Sequence, residues 1–490
     1  MASVQTLEPA PLFPHYADGI RIPCNIAPLN FVLPDTVRNA LVEVTSSSAK
    51  RTFRIRQKMA FPLSFWNKLT LAARQGKTDT IRINMAVRGS SQTYFRYPVL
   101  HWIISPDTID PYLTYRLVQP TAGAYNVIEL RERCLQDFGE KVLMNNQSMD
   151  GNCFNCHTYD QGEADRMMIH LRKPSEGSLF FDRGELQKVR LPEAEKALAH
   201  LPDSLRMPLN FVYAAWHPEG KHIAFCTNIL GISGYAVHRQ YVNLLDSASN
   251  ILLYDPQERS VSLPNALWTA AYEETWPTWS PDGKWLYFCR TPKVSPDTVA
   301  RYPEWGERVQ HIYFDLCRVA FDAASGTFSD TVQTVLAARP GQSFSVPRVH
   351  PGGRHLLLCR SLYNSVPYQS EGDLFLLDLE NMEPDAESGA NPANILNSPE
   401  SESWHEWSAN GRWVVFGSKR QDGHYTLPYI AHFDGKEFGI PFVLPQKSAR
   451  FYQTNLRSFN LPTFTRNASA LTPQKAAAAK RSPALGITVK

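Results

Sequence analysis

The sequence predicts an all-β protein: a β-propeller of five to six blades preceded by a small β-sandwich-like domain. Two observations predict this fold class. A hairpin motif recurs in the second half of the chain, and β-rich segments separated by turn residues occupy the first part. The composition agrees, because 36 prolines and 11% aromatic residues suit many short strands joined by turns around an aromatic core.

The recurring motif is a tight turn between two strands. Its clearest copy is Trp279-Ser280-Pro281-Asp282-Gly283-Lys284, followed by a strongly β-forming run. Pro and Asp-Gly form the turn, and a basic residue opens the second strand. A third strand and a shorter fourth strand follow each copy, which gives the four strands of a propeller blade. The copies begin at Trp216, Trp279, Val349 and Trp407.

Two residue types recur at fixed places in these repeats. Cysteine ends the second strand of three copies, at Cys226, Cys289 and Cys359, and we predict that these three are small core residues. Histidine occupies the turn in two copies, so we expect turn residues at one propeller face there. The two are His217 and His350, and His405 is a candidate lining residue of the same mouth.

The predicted domain organisation has five parts. They are a disordered segment at 1–19, a β-sandwich-like domain at 20–118, a bridging segment at 119–150 with a short helix near 127–138, the propeller at 151–464, and a disordered tail at 465–490. Five blades are visible in the pattern. A sixth could be completed near 120–146, or near 438–444 together with the tail.

Charge and hydropathy exclude some classes of partner. The formal net charge is only +3 and the basic residues are scattered, so we expect no nucleic-acid binding. No apolar run reaches the length of a transmembrane helix. The first residues lack the basic start and apolar stretch of a secretory signal.

A Cys-x-x-Cys-His motif at Cys153, Cys156 and His157 is the chemical centre of the sequence. This pattern is typical of c-type haem attachment: two thiols form thioethers to the porphyrin edge, and the histidine binds the iron. We therefore expect one covalent haem c. A redox dithiol, a disulfide or half a zinc site would use the same cysteines. A redox dithiol is typical of a βαβ unit, whereas this region is β-rich, and a structural zinc site needs a second close Cys/His pair, which the sequence lacks.

The motif precedes three short strands, so we expect the haem loop to replace the turn of a first, divergent blade. The haem would then lie at one mouth of the propeller. His170 is the first candidate for the distal iron ligand, and Met168, on the same face by two-residue alternation, is the second. Met144 and Met149 are further candidates.

The Trp-Ser-Pro-Asp-Gly-Lys unit resembles the TolB-like propeller repeat, also called the WD40-like or PD40 repeat, over about residues 153–462. From about residue 20 to 465 the chain is similar to TolB-like propeller proteins of Bacteroidota type, often labelled cytochrome c biosynthesis proteins. The matching features include Ile22-Pro23-Cys24-Asn25, Asn155-Cys156-His157-Thr158 and Ser458-Phe459-Asn460-Leu461-Pro462.

This resemblance implies export, with a periplasmic or outer-membrane-associated location and membrane association through a lipid anchor that the sequence lacks. Either the start of the chain is trimmed or misassigned, or the haem is never attached.

The expected function is that of a monohaem c-type cytochrome-like protein in electron transfer or redox sensing, with the propeller as docking scaffold for a protein redox partner. The alternative is a non-enzymatic TolB-like interaction propeller in which the cysteine pair is structural, as a disulfide or a metal site. A hydrolase is disfavoured because no Gly-x-Ser-x-Gly elbow occurs.

Overall fold

The computed structural model describes residues 5–6, 9–89, 94–119, 126–172, 177–234, 242–364, 371–381 and 390–490. Within these residues, six sheets form a ring, four of them with four strands and two with a fifth strand added at the outer edge. Each inner strand contacts the inner strand of the next sheet, and the sixth contacts the first. The predicted β-propeller is therefore confirmed, and its blade number is six.

Each blade has four antiparallel strands, which follow one another from the channel outward. Blade 1 comprises Ser458–Thr465, Tyr112–Val118, Glu129–Cys134 and Glu140–Asn145; blade 2 Phe154–Asp160, Glu163–Leu171, Gly177–Asp182 and Glu185–Arg190; blade 3 Val212–Trp216, Ile223–Gly234, Val242–Asp255 and Ser260–Ser262. Blade 4 comprises Tyr272–Trp279, Trp285–Pro292, Asp315–Asp322 and Thr327–Leu336; blade 5 Ser343–Val349, His355–Ser361, Asp373–Asp378 and Ala390–Pro392; blade 6 Glu402–Trp407, Trp413–Ser418, Leu427–His432 and Phe442–Val443.

Blade 1 closes the ring with strands from both ends of the propeller sequence. Its inner strand comes from the C-terminal side and pairs antiparallel with Tyr112–Val118, so that Tyr112 faces Thr465. The segment predicted to be a bridge at 119–150 therefore contributes two blade strands, and the strand at 112–118 belongs to the propeller rather than to the N-terminal domain.

The short helix expected near 127–138 is wrong, because Glu129–Cys134 is a strand. Its burial alternates with a period of two at the start, where Leu130 is buried against blade 2 and Arg131 pairs with Glu129 and Glu140 at the surface. The many charged residues suggest an exposed helix, but cross-strand ion pairs satisfy them equally well in a sheet.

The tail expected to be disordered is ordered and crosses the outer edges of blades 2 and 3. A helix, Pro473–Arg481, packs with its alanines against blades 1 and 2, and Thr472 caps its first turn by accepting a hydrogen bond from the Lys475 amide. Beyond it, Leu485–Gly486 and Thr488–Val489 add fifth, parallel strands to blades 2 and 3. The small side chains that predict disorder are the ones that allow close packing on a sheet edge.

The N-terminal domain is one seven-stranded sheet covered by short elements rather than two full sheets. Residues 10–19, expected to be disordered, bury Leu12 and Tyr16 in its core. Trp66, on the helix Leu63–Leu69, donates its indole N–H to Ile26 O and so anchors that helix to the segment after the strand Arg21–Pro23. The sheet comprises Gln5–Thr6, Arg21–Pro23, Val37–Thr45, Lys50–Ile55, Asp79–Gly89, Tyr94–Arg96 and Leu100–Ser105; the covering elements are Leu63–Leu69, Leu71–Arg74 and the two-stranded sheet of Phe31–Val32 with Lys58–Met59.

The N-terminal domain is seated on blade 6 through the loop that follows its last strand. Asp107 accepts hydrogen bonds from His432 Nε2 at 2.8 Å and, through its backbone oxygen, from the Trp413 indole at 3.3 Å. Asp110 accepts a hydrogen bond from the Ala409 amide at 2.7 Å. This loop therefore reaches the rim of the central channel.

The remaining helices are single turns between strands. In the described residues, none of the helices is long and apolar enough to cross a membrane. They are Gln147–Met149, Ala194–Ala197, Asp203–Leu205, Pro296–Arg301, Trp305–Arg308, Val309–His311 and Phe451–Thr454.

Candidate functional site

The Cys-x-x-Cys-His motif lies at and within the inner strand of blade 2, not in a turn. Cys153 directly precedes that strand, and Cys156 and His157 are inside it. The turn that follows is made by Gln161 and Gly162, which both have positive φ. The prediction that a haem loop replaces this blade's turn is therefore wrong: the blade keeps its turn, and the motif runs along the central channel.

Cys156 lies at a β-bulge with left-handed backbone. Asn155 pairs with His170 and Thr158 with Met168, so that Cys156 and His157 together face one residue of the second strand. Cys156 has φ of 55°. A bulge of this kind re-aims a side chain, and here Cys156 lines the channel together with Tyr213 of the next blade.

The same bulge occurs in every blade. Each inner strand has a register shift at the equivalent place and one non-glycine residue with φ between 48° and 57°. A left-handed non-glycine residue costs about 1–2 kcal/mol, so a sixfold recurrence indicates that the architecture requires it. We call these residues the floor ring: Cys156, Tyr213, Trp276, Val346, Trp404 and Leu461.

The sequence contains a signal for this equivalence that the motif analysis missed. Phe154-Asn155-Cys156-His157-Thr158 of blade 2 matches Phe459-Asn460-Leu461-Pro462-Thr463 of blade 1 at the phenylalanine, asparagine and threonine. Both segments are inner strands. The comparison places Cys156 and His157 in a strand repeat where other blades carry no cysteine.

In this conformation the three motif residues do not fit a haem-attachment site. Cys153 packs against the core between blades 1 and 2, whereas Cys156 packs against the cluster that includes Tyr213 on the channel side. Three residues of extended chain span about 10 Å, so the two thiols do not converge on one porphyrin edge. The part of the chain that the structure describes has no group of three or more His, Cys, Asp or Glu arranged to hold a metal ion.

His157 is enclosed between blades 1 and 2. Its Nε2 lies 3.5 Å from Thr114 Oγ1, and its Nδ1 is buried without a hydrogen-bond partner among the described residues. Burial, reinforced by the nearby Arg116 guanidinium, lowers the pKa of His157 to about 3. Arg116 is itself fixed by Asn460 Oδ1 and Phe154 O, so the cation remains beside the imidazole.

The two candidate distal ligands lie on the other face of the blade. Thr158 pairs with Met168, and Met168 packs in the core between blades 2 and 3. His170 follows on the same face by alternation, whereas His157 faces blade 1. Burial lowers the pKa of His170 to about 3. The structure therefore does not bring His170 or Met168 to the side of the strand that His157 occupies. Met144 and Met149 are buried in the core between blades 1 and 2.

Above the floor ring, the channel widens into a cavity of about 450 Å³. All six blades contribute the residue two positions after the floor ring, a set that we call the funnel ring. All six also contribute the following residue, which forms the wall. The funnel ring is Thr158, Ala215, Thr278, Arg348, Glu406 and Thr463; the wall is Tyr159, Trp216, Trp279, Val349, Trp407 and Phe464.

The funnel ring contains one ion pair. Arg348 Nε donates to Glu406 Oε2 at 3.1 Å, and Arg348 Nη1 donates to Pro347 O at 2.9 Å. Burial raises the pKa of Glu406, and the attraction of Arg348 opposes that shift. Both side chains are partly exposed to the cavity. They occupy positions where the other blades carry only threonine or alanine, a specialisation that sequence periodicity did not single out.

The turn histidines connect neighbouring blades rather than line a catalytic site. His217 Nε2 bonds to Gly283 O of blade 4 at 3.1 Å, and His350 Nε2 bonds to Gly411 O of blade 6 at 2.9 Å. His405 is buried away from the mouth, with its Nε2 bonded to Leu357 O at 2.8 Å.

The three cysteines predicted to be core residues are buried, with at most 2% of their surface exposed, although each lies within its second strand rather than at its end. They are Cys226, Cys289 and Cys359.

No protein-family model matches this chain, and the search of curated proteins finds no match. Among solved structures, the chain is similar to a putative 6-phosphogluconolactonase from Bacteroides fragilis NCTC 9343, with 12% identity, a TM-score of 0.34, and coverage of 69% of this chain and 82% of that one. It is also similar to the β-propeller domain of the Trilobed protease from Pyrococcus furiosus, with 9% identity, a TM-score of 0.31, and coverage of 76% of this chain and 96% of that one. A third similar structure is an oligogalacturonate lyase in complex with manganese, with 9% identity, a TM-score of 0.31, and coverage of 90% of this chain and 100% of that one. These likenesses concern the propeller fold alone.

Proposed function

We propose that this protein is a non-enzymatic recognition propeller of the TolB-like type, which receives its ligand in the funnel at the central channel. The observation that carries the proposal is the Arg348–Glu406 pair, placed in the funnel ring where four other blades carry small side chains. Concave sites with a few polar groups among aromatic walls are typical of ligand binding. The TolB-like affiliation rests on the Trp-Ser-Pro-Asp-Gly-Lys turn.

The carboxyl groups that line the funnel are held by other groups. Glu406 is bound to Arg348, and Asp110 accepts the Ala409 amide hydrogen. His157 has a pKa of about 3, so it is neutral at physiological pH and enclosed between blades. These hydrogen bonds and this burial favour ligand binding over acid–base catalysis. Proton transfer needs a side chain that reaches the ligand and has a pKa near the working pH.

The competing proposal is an exported monohaem cytochrome-like protein for electron transfer or redox sensing, which binds a protein redox partner. It is supported by the Cys153, Cys156 and His157 spacing and by the unbonded Nδ1 of His157. In it the inner strand of blade 2 would have to leave the sheet locally, so that both thiols reach one haem edge. The extracytoplasmic location, and membrane association through a lipid anchor, belong to this proposal.

One experiment separates the two. The chain is produced behind a periplasmic signal in cells with haem-attachment machinery, and its pyridine haemochrome spectrum and intact mass are recorded. We expect a colourless protein with Cys153 and Cys156 both open to alkylation after denaturation. A c-type α-band that remains with the polypeptide and is lost in the Cys153→Ala/Cys156→Ala variant would overturn the recognition proposal in favour of the cytochrome. A disulfide or bound zinc in the colourless protein would make the cysteine pair structural.

A further inference from the structure

The chemistry of the funnel narrows the kind of ligand that it can hold; this inference rests on the proposed function. Three funnel-ring residues carry hydroxyl groups: Thr158, Thr278 and Thr463. A hydroxyl both donates and accepts hydrogen bonds. With the guanidinium of Arg348 as donor and the carboxylate of Glu406 as acceptor, the ring presents both kinds of group around one opening.

A donor without a partner lies at the bottom of this funnel. Trp276 is a floor-ring residue, lines the cavity and is 4% exposed, and its indole N–H is buried without a hydrogen-bond partner in the described part of the chain. Two of the three wall tryptophans differ, because Trp279 donates to Ala215 O and Trp407 to Arg348 O, each at 3.1 Å. The indole N–H of the third, Trp216, is likewise buried without a partner among the described residues. A buried donor left unbonded is costly, so the Trp276 N–H favours a ligand acceptor that reaches the floor.

The charges around the cavity balance. Arg348 is paired with Glu406, and Arg466 lies 3.6 Å from Glu163. Burial raises the pKa of the remaining carboxyl group, Asp110. An anionic ligand would have to compete with Glu406 for Arg348, and a cationic one would have to compete with Arg348 for Glu406. This arrangement favours an uncharged ligand.

We propose that the funnel binds a neutral, polyhydroxylated ligand, namely one or two units of an uncharged oligosaccharide. Sugar hydroxyls use donors and acceptors together, as the Arg348–Glu406 pair and the threonines offer them, and the C–H face of a sugar packs on aromatic walls such as Trp216 and Trp407. The cavity of about 450 Å³ lies in the usual range of small-molecule sites, about 300–1,000 Å³. The Trp276 N–H takes a ligand oxygen at the floor.

The test uses the full chain on a glycan array that carries neutral, acidic and amino-sugar oligosaccharides, followed by calorimetric titration of the strongest neutral hit. Tryptophan fluorescence reports the same event, since four tryptophans line the cavity. We expect binding of neutral glycans, weakened at least tenfold in Arg348→Met and in Trp276→Phe, which keeps an aromatic ring but removes the N–H. The matched control is Arg354→Met, which breaks an exposed ion pair with Asp378 in the same blade and should leave the affinity within twofold.

Thermal melting of each variant identifies any that fails to fold; if Arg348→Met does so, Glu406→Gln replaces it. Binding restricted to acidic or amino-sugar glycans, binding of peptides alone, or no glycan binding would overturn the carbohydrate inference. None of these outcomes bears on the absence of haem, so a colourless protein that ignores glycans would remain a recognition propeller with another ligand. A neutral glycan that is bound and cleaved would support the ligand class but overturn the non-enzymatic function.

Discussion

Cys156 and Leu461 occupy equivalent positions on neighbouring inner strands, each at a bulge and each with left-handed backbone, at φ of 55° and 53°. This relationship places the most distinctive cysteine of the sequence in a structural repeat. Its neighbours in the other blades are a tyrosine, two tryptophans, a valine and a leucine. The position holds side chains that fill the channel floor, and a cysteine side chain can occupy it as well.

The equivalence predicts that Cys156→Leu is tolerated. The blade 1 strand already carries leucine in this backbone conformation, so we expect a change in melting temperature below about 4 °C, corresponding to at most about 1 kcal/mol. The matched control is Cys289→Leu, because Cys289 is fully buried in the core and overpacking there costs about 1–3 kcal/mol. Thermal melts followed by circular dichroism measure both. A larger loss for Cys156→Leu than for Cys289→Leu would mean that position 156 needs a thiol.

The sequence predicted the blades that carry a turn motif, but it did not predict the strand pairing that closes the ring. Blades 3 to 6 can each be recognised in the sequence by a turn such as Pro281-Asp282-Gly283, because a few adjacent residues determine a turn. Blade 1 pairs Tyr112 with Thr465, and no local pattern connects segments so far apart in the chain. Blade 2 uses Gln161-Gly162 in place of Pro-Asp-Gly, so its turn does not match the repeat.

The geometry of the candidate site could not be predicted from the sequence, for a related reason. A spacing of two cysteines and a histidine describes which groups are available, but whether they converge depends on backbone conformation. The extended strand around Cys156 separates the thiols. The Arg348–Glu406 pair is the reverse case: its members belong to neighbouring blades and are brought together by the ring, so neither stands out in its own segment.

We predict that Gly283→Ala and Gly411→Ala destabilise the propeller by more than backbone strain alone. Both glycines have φ of 67–70°. An added Cβ would lie 2.3 Å from Nε2 of a histidine in the preceding blade, which is His217 for Gly283 and His350 for Gly411. Gly353, in the same turn of blade 5, also has positive φ but has open space around it.

Gly353→Ala should therefore cost only about 1–2 kcal/mol of strain, and the other two at least about 1 kcal/mol more. Denaturant unfolding measures the difference. Adding His217→Ala to Gly283→Ala should recover part of the loss, whereas equal costs at all three glycines would show that the histidine contacts do not matter.

Stability should fall on acidification through buried histidines, of which His405 is the clearest. Burial lowers its pKa to about 3, with a smaller contribution from Arg348, whereas in the unfolded chain it is about 6.5. The unfolded state therefore binds the proton more readily. The stabilising contribution of neutral His405 is complete above pH 6.5 and is lost as the pH falls from there towards 3, by about 1.4 kcal/mol for each pKa unit between the two states.

Unfolding free energies measured between pH 8 and pH 4 test this expectation. His405→Gln cannot be protonated and keeps a side-chain N–H for Leu357 O, so its stability should depend less on pH. His424→Gln is the matched control because His424 is exposed. Parallel pH profiles for the parent protein and His405→Gln would contradict the assignment.

Two truncations should separate the closing strand from the tail that follows it. A chain ending at residue 457 lacks the inner strand of blade 1, Ser458–Thr465, and leaves Tyr112–Val118 without its channel-side partner. We expect this chain to lose cooperative unfolding and to aggregate, because the ring cannot close. A chain ending at residue 467 keeps that strand but loses the helix Pro473–Arg481 and the fifth strands of blades 2 and 3.

The longer chain should fold with a lower melting temperature and a greater tendency to associate, because the outer strands Glu185–Arg190 and Ser260–Ser262 then become open edges. Circular dichroism melts and size-exclusion chromatography distinguish the two products. Substituting Lys480→Met in the full chain is a milder probe, since this buried amine donates to Met149 O and Asp150 and anchors the tail helix. If the chain ending at residue 457 unfolded as cooperatively as the one ending at residue 467, the strand Ser458–Thr465 would not be needed to close the propeller.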